Sequence, residues 1–193
     1  MQLEYPAGAT PLDPDEAQGL VPAHIATQSD LNAWEEANIV QAEQWLRRSR
    51  KREVLEEGFV RDLHARMFDK TWKWAGTFRK SNKNIGVDWT QVAVKLRNLL
   101  DNTRYQVEQG TDNVDELVVR MHHQLVWIHA FPNGNGRHAR LMADVLIMRL
   151  GRPRFSWGRQ NLVHEGQTRS AYLAALRLAD RGDISALLEF ARD

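Results

Sequence analysis

Residues 129–140 gather a base, an anion cradle and two cations: His129-Ala-Phe-Pro-Asn-Gly-Asn-Gly-Arg137, followed by Arg140. An imidazole titrates near ~6.5, so His129 suits proton abstraction at neutral pH. Gly134 and Gly136 flank Asn135, and glycine backbone can turn successive N–H groups toward one point. A helix beginning there adds the positive end of its dipole. Arg137 and Arg140, three apart on the first turns of that helix, share a face and can meet the same anion. These residue types fit a phosphate site with a general base beside it. A Gly-Asn-Gly turn also serves as a plain helix connection, and residue chemistry alone leaves both readings open.

The elements that must hold this loop are helical. Leu117, Met121, Leu125 and Ile128 lie on one face of a helix predicted over 114–130, which delivers His129 at its end. The stretch 138–150 is apolar around most of its circumference, as a buried central helix would be, and Gly151 with Pro153 ends it. Upstream, a helix starts near Ser29 and runs to 45 or 48, and another spans 53–68 with Leu55, Phe59, Leu63 and Met67 at intervals of four. Val92, Leu96, Leu99 and Thr103 resume the period, and two last helices lie near 168–179 and 184–191. Between 70 and 90 the period vanishes. Trp72, Trp74 and Phe78 alternate with small or polar residues, Ser-Asn-Lys-Asn follows, then Ile85 and Val87; this reads as a short β-hairpin. Pro6, Pro11, Pro14 and Pro22 mark residues 1–28 as an extended arm, leaving 29–193 as one domain. The fold class expected is all-α with one small hairpin.

Composition narrows the function classes. The chain has 193 residues, 42% hydrophobic and 26% charged, with net charge +1 and no cysteine. A single globular domain with a real core fits that balance. The absence of cysteine excludes disulfides, zinc–thiolate sites and a cysteine nucleophile. No apolar run reaches the ~18 residues a membrane span needs, and the N-terminus lacks the regions of a signal peptide, so a cytoplasmic location is expected. Arg47-Arg-Ser-Arg-Lys-Arg52 could touch nucleic acid, but the balanced charge favours a solvated helix end. His122 and His123 lack the i, i+4 spacing of helical metal ligands and read as packing or capping histidines. Trp72, Trp74 and Trp127 are expected to pack around the loop.

The pattern His-x-Phe-x-x-Gly-Asn-Gly-Arg-x-x-Arg, matched at His129, Phe131, Gly134, Asn135, Gly136, Arg137 and Arg140, resembles the signature of the Fic family. Trp72-Lys-Trp-Ala-Gly-Thr-Phe-Arg79 looks like the strand leading into that family's flap hairpin. The run from Tyr172 through Ala175, Leu176, Ala179, Gly182, Asp183 and Leu187 resembles its C-terminal helices. Gly8-Ala-Thr-Pro-Leu-Asp-Pro-Asp15 and Leu31-Asn-Ala-Trp-Glu-Glu-Ala-Asn-Ile39 are similar to a bacterial subgroup called mobile mystery protein B.

The resemblance implies a helical Fic domain with protein adenylyltransferase (AMPylase) activity. His129 would take the proton of a target hydroxyl, which attacks the α-phosphorus of ATP as pyrophosphate leaves. Gly134, Asn135 and Gly136 would cradle phosphates, Asn135 steadying the α-phosphate. Arg137 would hold the β- and γ-phosphates, Arg140 would help place the γ-phosphate, and Phe131 would anchor the loop. The hairpin around 74–87 would dock the target protein by strand pairing. Many relatives carry Asp or Glu where this chain has Asn133, so Mg²⁺ would meet a neutral, weaker oxygen ligand. Relatives shut off by a Ser/Thr-x-x-x-Glu-Gly/Asn helix suggest Glu36, in Asn32-Ala-Trp-Glu-Glu-Ala-Asn38, as the inhibitory residue reaching Arg140. Two alternatives stand beside this: a degenerate domain binding nucleotide and acting through protein contacts, with an antitoxin protein as partner, and a transferase using another donor.

Overall fold

A computed structural model of the chain describes residues 10–49, 52–110, 112–158 and 165–193. Among them run the α-helices α1 (Pro14–Ala17), α2 (Gln28–Arg48), α3 (Glu57–Phe68), α4 (Val92–Gln109), α5 (Val114–Ile128), α6 (Asn135–Arg149), α7 (Glu165–Ala179) and α8 (Ser185–Arg192), with a 3₁₀ turn at Trp89–Gln91. The fold is all-α. Local chemistry sets the ends. At α2, Thr27 Oγ1 accepts from Asp30 N at 3.1 Å while Asp30 Oδ2 accepts from Thr27 N at 2.9 Å, a reciprocal cap two residues before the expected Ser29. At α3 the Glu53 carboxylate accepts from Leu55 N at 2.9 Å, so the side chain ties up its own backbone and the helix waits until Glu57. The other helices begin or end within a few residues of their predicted bounds, α6 three residues earlier than expected.

The core forms around α5 and α6, the helix pair in most extensive contact, with α2 on α3, α7 on α8 and α4 on α5 outside it. The expected burial of the central helix holds: Ala139, Met142, Ala143 and Ile147 of α6 are wholly enclosed. Ala139 and Ala143, four apart, let the neighbouring backbone approach closely. Each large apolar side chain enclosed this way contributes about 1.5–3 kcal/mol against exposure. Of the basic run at 47–52, Arg50 and Lys51 lie outside the described residues. Arg52 pairs with Asp62 at 2.8 Å and sits 5.6 Å from the rings of Trp45 and Phe59, a packing role.

The β-hairpin expected at 70–90 is not formed. The described residues contain one isolated antiparallel bridge, Leu20 to Trp72, and no strand. Side chains do what a ladder would have done. The Arg79 guanidinium donates to the carbonyls of Ser81 and Val87, and Asn82 bonds both Trp89 N and the Asp88 carboxylate. These side-chain bonds take up the Ser81 and Val87 carbonyls and Trp89 N, groups a ladder would otherwise use. The N-terminal segment also departs from the extended arm predicted over 1–28. Residues 1–9, including Gly8, lie outside the described residues. The remainder carries α1 and packs on this loop region: Val21 N donates to Thr71 O, Lys73 N to Gly19 O (each 2.8 Å), and Trp74 Nε1 to Glu16 O at 2.9 Å. Lys83, its side chain almost fully enclosed, pairs with Asp13 at 2.8 Å and Glu16 at 2.5 Å.

Candidate active site

His129 closes α5 in the left-handed region, φ 53° and ψ 59°, a conformation costing a non-glycine residue on the order of 1 kcal/mol. Neighbouring groups hold it there. Arg79 Nε donates to His129 O at 2.6 Å, and Arg79 N donates to Ala130 O at 3.0 Å. Gly86, at φ 102°, passes so close that a Cβ there would come within 2.6 Å of the His129 Cβ. The imidazole is buried, no side chain bonds either ring nitrogen, and the polar group it faces is the Val126 carbonyl one turn back on α5. Burial first, and the Arg79 cation second, push its pKa down to about 4. At neutral pH His129 is therefore uncharged, with an unengaged nitrogen lone pair.

From His129 the loop turns inward at Phe131, 1% exposed, the anchor expected from the motif. Phe131 stacks on the His64 ring at 3.7 Å and 19°. His64, on α3, carries the rest of the loop: its Nδ1 accepts from Gly76 N at 3.0 Å, which leaves Nε2–H to donate to the Asn133 carbonyl at 3.0 Å. Burial, then the neighbouring His138, hold the His64 pKa well below its ordinary value, consistent with that single neutral tautomer.

Asn135 plays a different part from the one expected. Its Oδ1 accepts from Phe131 N at 2.9 Å and its Nδ2 donates to Phe131 O at 2.8 Å. The side chain locks the loop, both of its polar atoms bonded to the Phe131 backbone. Gly134 must be glycine: its φ is 78°, and a Cβ would stand 2.6 Å from the Phe68 ring. Gly136 is an ordinary helical residue facing open space, with the Tyr172 hydroxyl 3.8 Å from where a Cβ would be. Because α6 begins at Asn135, the amides of its first turn lack helical acceptors, an arrangement that can meet an anion.

The two arginines are engaged by different elements. Arg137 lies over the Phe68 ring at 4.9 Å and bonds Glu35 Oε2 at 2.7 Å; Arg140 lies over the Tyr172 ring at 5.1 Å. The arginine contact expected of Glu36 is made by its neighbour instead. Glu36 is exposed, whereas Glu35 is buried, paired with Arg137 rather than Arg140, and also accepts from Trp72 Nε1 at 2.7 Å. The inward face of α2 is Leu31, Glu35, Asn38 and Ala42, spaced four, three and four apart. That helical spacing selects 35, not 36.

Asn133 does not build a Mg²⁺ site. Its Oδ1 accepts from Gly134 N at 2.5 Å, and among the described residues no cluster of three His, Asp or Glu could hold a metal. The donor set does not fit a protein-held Mg²⁺, which favours carboxylate oxygens.

His122 and His123 are packing residues, as their spacing indicated. His122 Nε2 meets the Tyr172 hydroxyl at 3.1 Å, and His123 meets Asp180 at 2.8 Å. Trp72 and Trp74 stack at 5.1 Å beside the loop, but Trp127 is 45% exposed and does not pack around it. His64, Arg79 and Glu35 escaped the sequence reading. Each acts from a distant element, and only the inward spacing of Glu35 left a signal.

Residues 54–147 match the Fic/DOC family model. Protein adenylyltransferase fic-1 of Caenorhabditis briggsae is 31% identical over 120 residues, covering 60% of this chain and 22% of that protein. The chain thus spans about a fifth of the length of that curated relative. Among solved structures, Fic-1 of C. elegans (residues 134–508, E274G) superposes with TM-score 0.66 at 22% identity, covering 91% of this chain and 51% of that one. BepC, a VirB-translocated Bartonella tribocorum effector solved with bound AMPPNP, superposes at 0.66 with 16% identity, covering 88% of each chain. The structural likeness is one of fold. Among the described residues no helix is long and apolar enough to cross a membrane.

Proposed function

The chain carries a Fic/DOC family domain, and from that premise we propose that it is a protein adenylyltransferase acting from the His129 loop. One observation carries the reading: a buried, neutral His129 with no side-chain partner at one end of a locked loop, whose other end is the first turn of α6 flanked by two arginines. ATP would lay its phosphates on the α6 N-terminus. His129 would accept the proton of a target Ser, Thr or Tyr hydroxyl as that oxygen attacks the α-phosphorus. The bond from the α-phosphorus to the bridging oxygen breaks, and pyrophosphate leaves with the electron pair. Charge grows on the non-bridging oxygens, which the helix end and Arg140 stabilise. No step is assigned to Mg²⁺. The target protein would approach over the loop at 77–88, whose Gly86 borders the base.

In this arrangement Glu35 restrains the enzyme. Arg137 cannot hold phosphates while it holds a buried carboxylate, so nucleotide must displace the pair. A charge-assisted hydrogen bond is worth about 1.5–3 kcal/mol, a barrier of roughly tenfold to a hundredfold in nucleotide affinity. Glu35→Gln keeps the contact to Trp72 while removing the charge.

The test is incubation with α-labelled ATP and bacterial lysate, using wild type, Glu35→Gln, Glu36→Gln and Glu35→Gln with His129→Ala. The expected result is weak labelling by wild type and by Glu36→Gln, at least tenfold stronger labelling by Glu35→Gln, and none by the His129→Ala form. Nucleotide binding without any labelling by Glu35→Gln would overturn the transferase reading. It would favour the degenerate nucleotide-binding domain, to which the engaged Asn133 side chain points.

A further inference from the structure

We infer that Arg79 is the positioning residue for the His129 base, tying the 79–87 loop to the end of α5 so that the imidazole is oriented through its backbone. The inference rests on the transferase reading only where it concerns rate.

A catalytic histidine is ordinarily aimed by a third group bonded to its second ring nitrogen. No side chain plays that part for His129: its ring nitrogens are buried, and the polar group they face is the Val126 carbonyl of its own helix. What fixes the ring must therefore be the conformation of its main chain and the atoms against its Cβ. Arg79 governs both. Its guanidinium, 2% exposed, donates to the carbonyls of His129 (2.6 Å) and Ile128 (3.5 Å) at the end of α5. It also donates to the carbonyls of Ser81 (2.7 Å) and Val87 across the loop. One planar cation thus bridges two chain segments 50 residues apart in sequence. Only arginine offers enough donors in a fixed plane for this; a lysine ammonium can follow one segment or the other.

The bridge has two consequences. It places a positive charge on carbonyls that the helix leaves unsatisfied at its negative end, stabilising the left-handed turn at His129. It also presses Gly86 onto the base: a Cβ at 86 would lie 2.6 Å from the His129 Cβ and 3.0 Å from Arg79 Nη2. The loop is accordingly a buttress for the base as well as an approach for the target. The charge acts in the same sense. Arg79 and Lys83 both disfavour the imidazolium. Lys83 is balanced by Asp13 and Glu16, and the Arg79 charge is offset in part by Asp88 and Glu16.

The experiment uses the full chain carrying Glu35→Gln as parent, with Arg79→Met, Arg79→Lys and Gly86→Ala added singly. Circular dichroism melting checks folding, calorimetry measures ATP affinity, and auto-labelling with saturating α-labelled ATP gives rate against pH. Histidine carbon-13 NMR, with His129→Ala for assignment, follows the His129 titration independently of activity. Arg79→Met should bind ATP within threefold of the parent, label at least a hundredfold more slowly, and titrate His129 upward from about 4 toward the ordinary value. Arg79→Lys and Gly86→Ala should each lose at least tenfold in rate with the titration within half a pH unit of the parent. Folded Arg79→Lys and Gly86→Ala forms with parental rates overturn the inference, as does an unchanged His129 titration in folded Arg79→Met. A parent that never labels sinks the transferase reading alone; the NMR titration then decides the Arg79 inference, and an unmoved signal refutes it.

Discussion

Lowering the pH from 7.5 to 5.5 should remove a large share of this protein's stability, because burial depresses the pKa of several histidines at once. His122 is pushed down to about 3, and His129 and His138 to about 4, with desolvation the leading cause in each. His64 is shifted the same way. In the unfolded chain these groups titrate near ~6.5, so below that pH the unfolded state binds protons that the folded state refuses. Stability is thus full above about pH 6.5 and falls as pH drops toward the folded values. Between pH 7.5 and 5.5 each such group costs on the order of 1 kcal/mol, so the three with stated values together cost several times that. His64 adds to this, against a total of about 5–15 kcal/mol for a domain. Carboxylates contribute little in this window. Asp13 and Asp115 are held below the usual range by hydrogen bonds, from Lys83 and Arg192 first, and are ionised in both states at these pH values. Urea unfolding followed by tryptophan fluorescence at the two pH values measures the difference. His122→Phe removes one titrating group and should shrink the pH effect by about 1 kcal/mol, whatever it does to stability at pH 7.5. A stability change below about 1 kcal/mol, or an effect undiminished in His122→Phe, would refute the reasoning.

Two further substitutions read the loop directly. Gly134→Ala drives a methyl into the Phe68 ring at a position with φ 78°, and should cost about 2–4 kcal/mol by thermal or urea unfolding; a near-neutral result would mean that the loop does not need the left-handed turn. His64→Phe keeps a ring against Phe131 but leaves the Asn133 carbonyl and Gly76 N–H unpaired, so about 2–4 kcal/mol should be lost and nucleotide affinity with it. Calorimetry with ATP showing unchanged affinity in a folded His64→Phe would separate the loop's stability from its function.

Helix positions and the residue types gathered at 129–140 are legible in the sequence, because both depend on neighbours near in the chain. Apolar spacing along 114–128 and 138–149 predicts two packed helices, while the glycine pair leaves an anion cradle and a plain helix connection both open. Phe131 as anchor was equally legible. The tertiary structure decided which side chains those residues meet. It set Glu35 rather than Glu36 against an arginine, and chose Arg137 over Arg140, since a one-residue step on a helix turns a side chain by about 100°. The expected hairpin dissolved for a related reason. Alternation at 72–78 reports local preference, but a ladder also needs a free partner segment, and there Arg79 takes the Ser81 and Val87 carbonyls. His64 and Arg79 carry no local signature. Their roles arise from contacts across 69 and 50 residues of chain, made only when the helices pack, and those contacts turn a recognisable motif into a base held ready for chemistry.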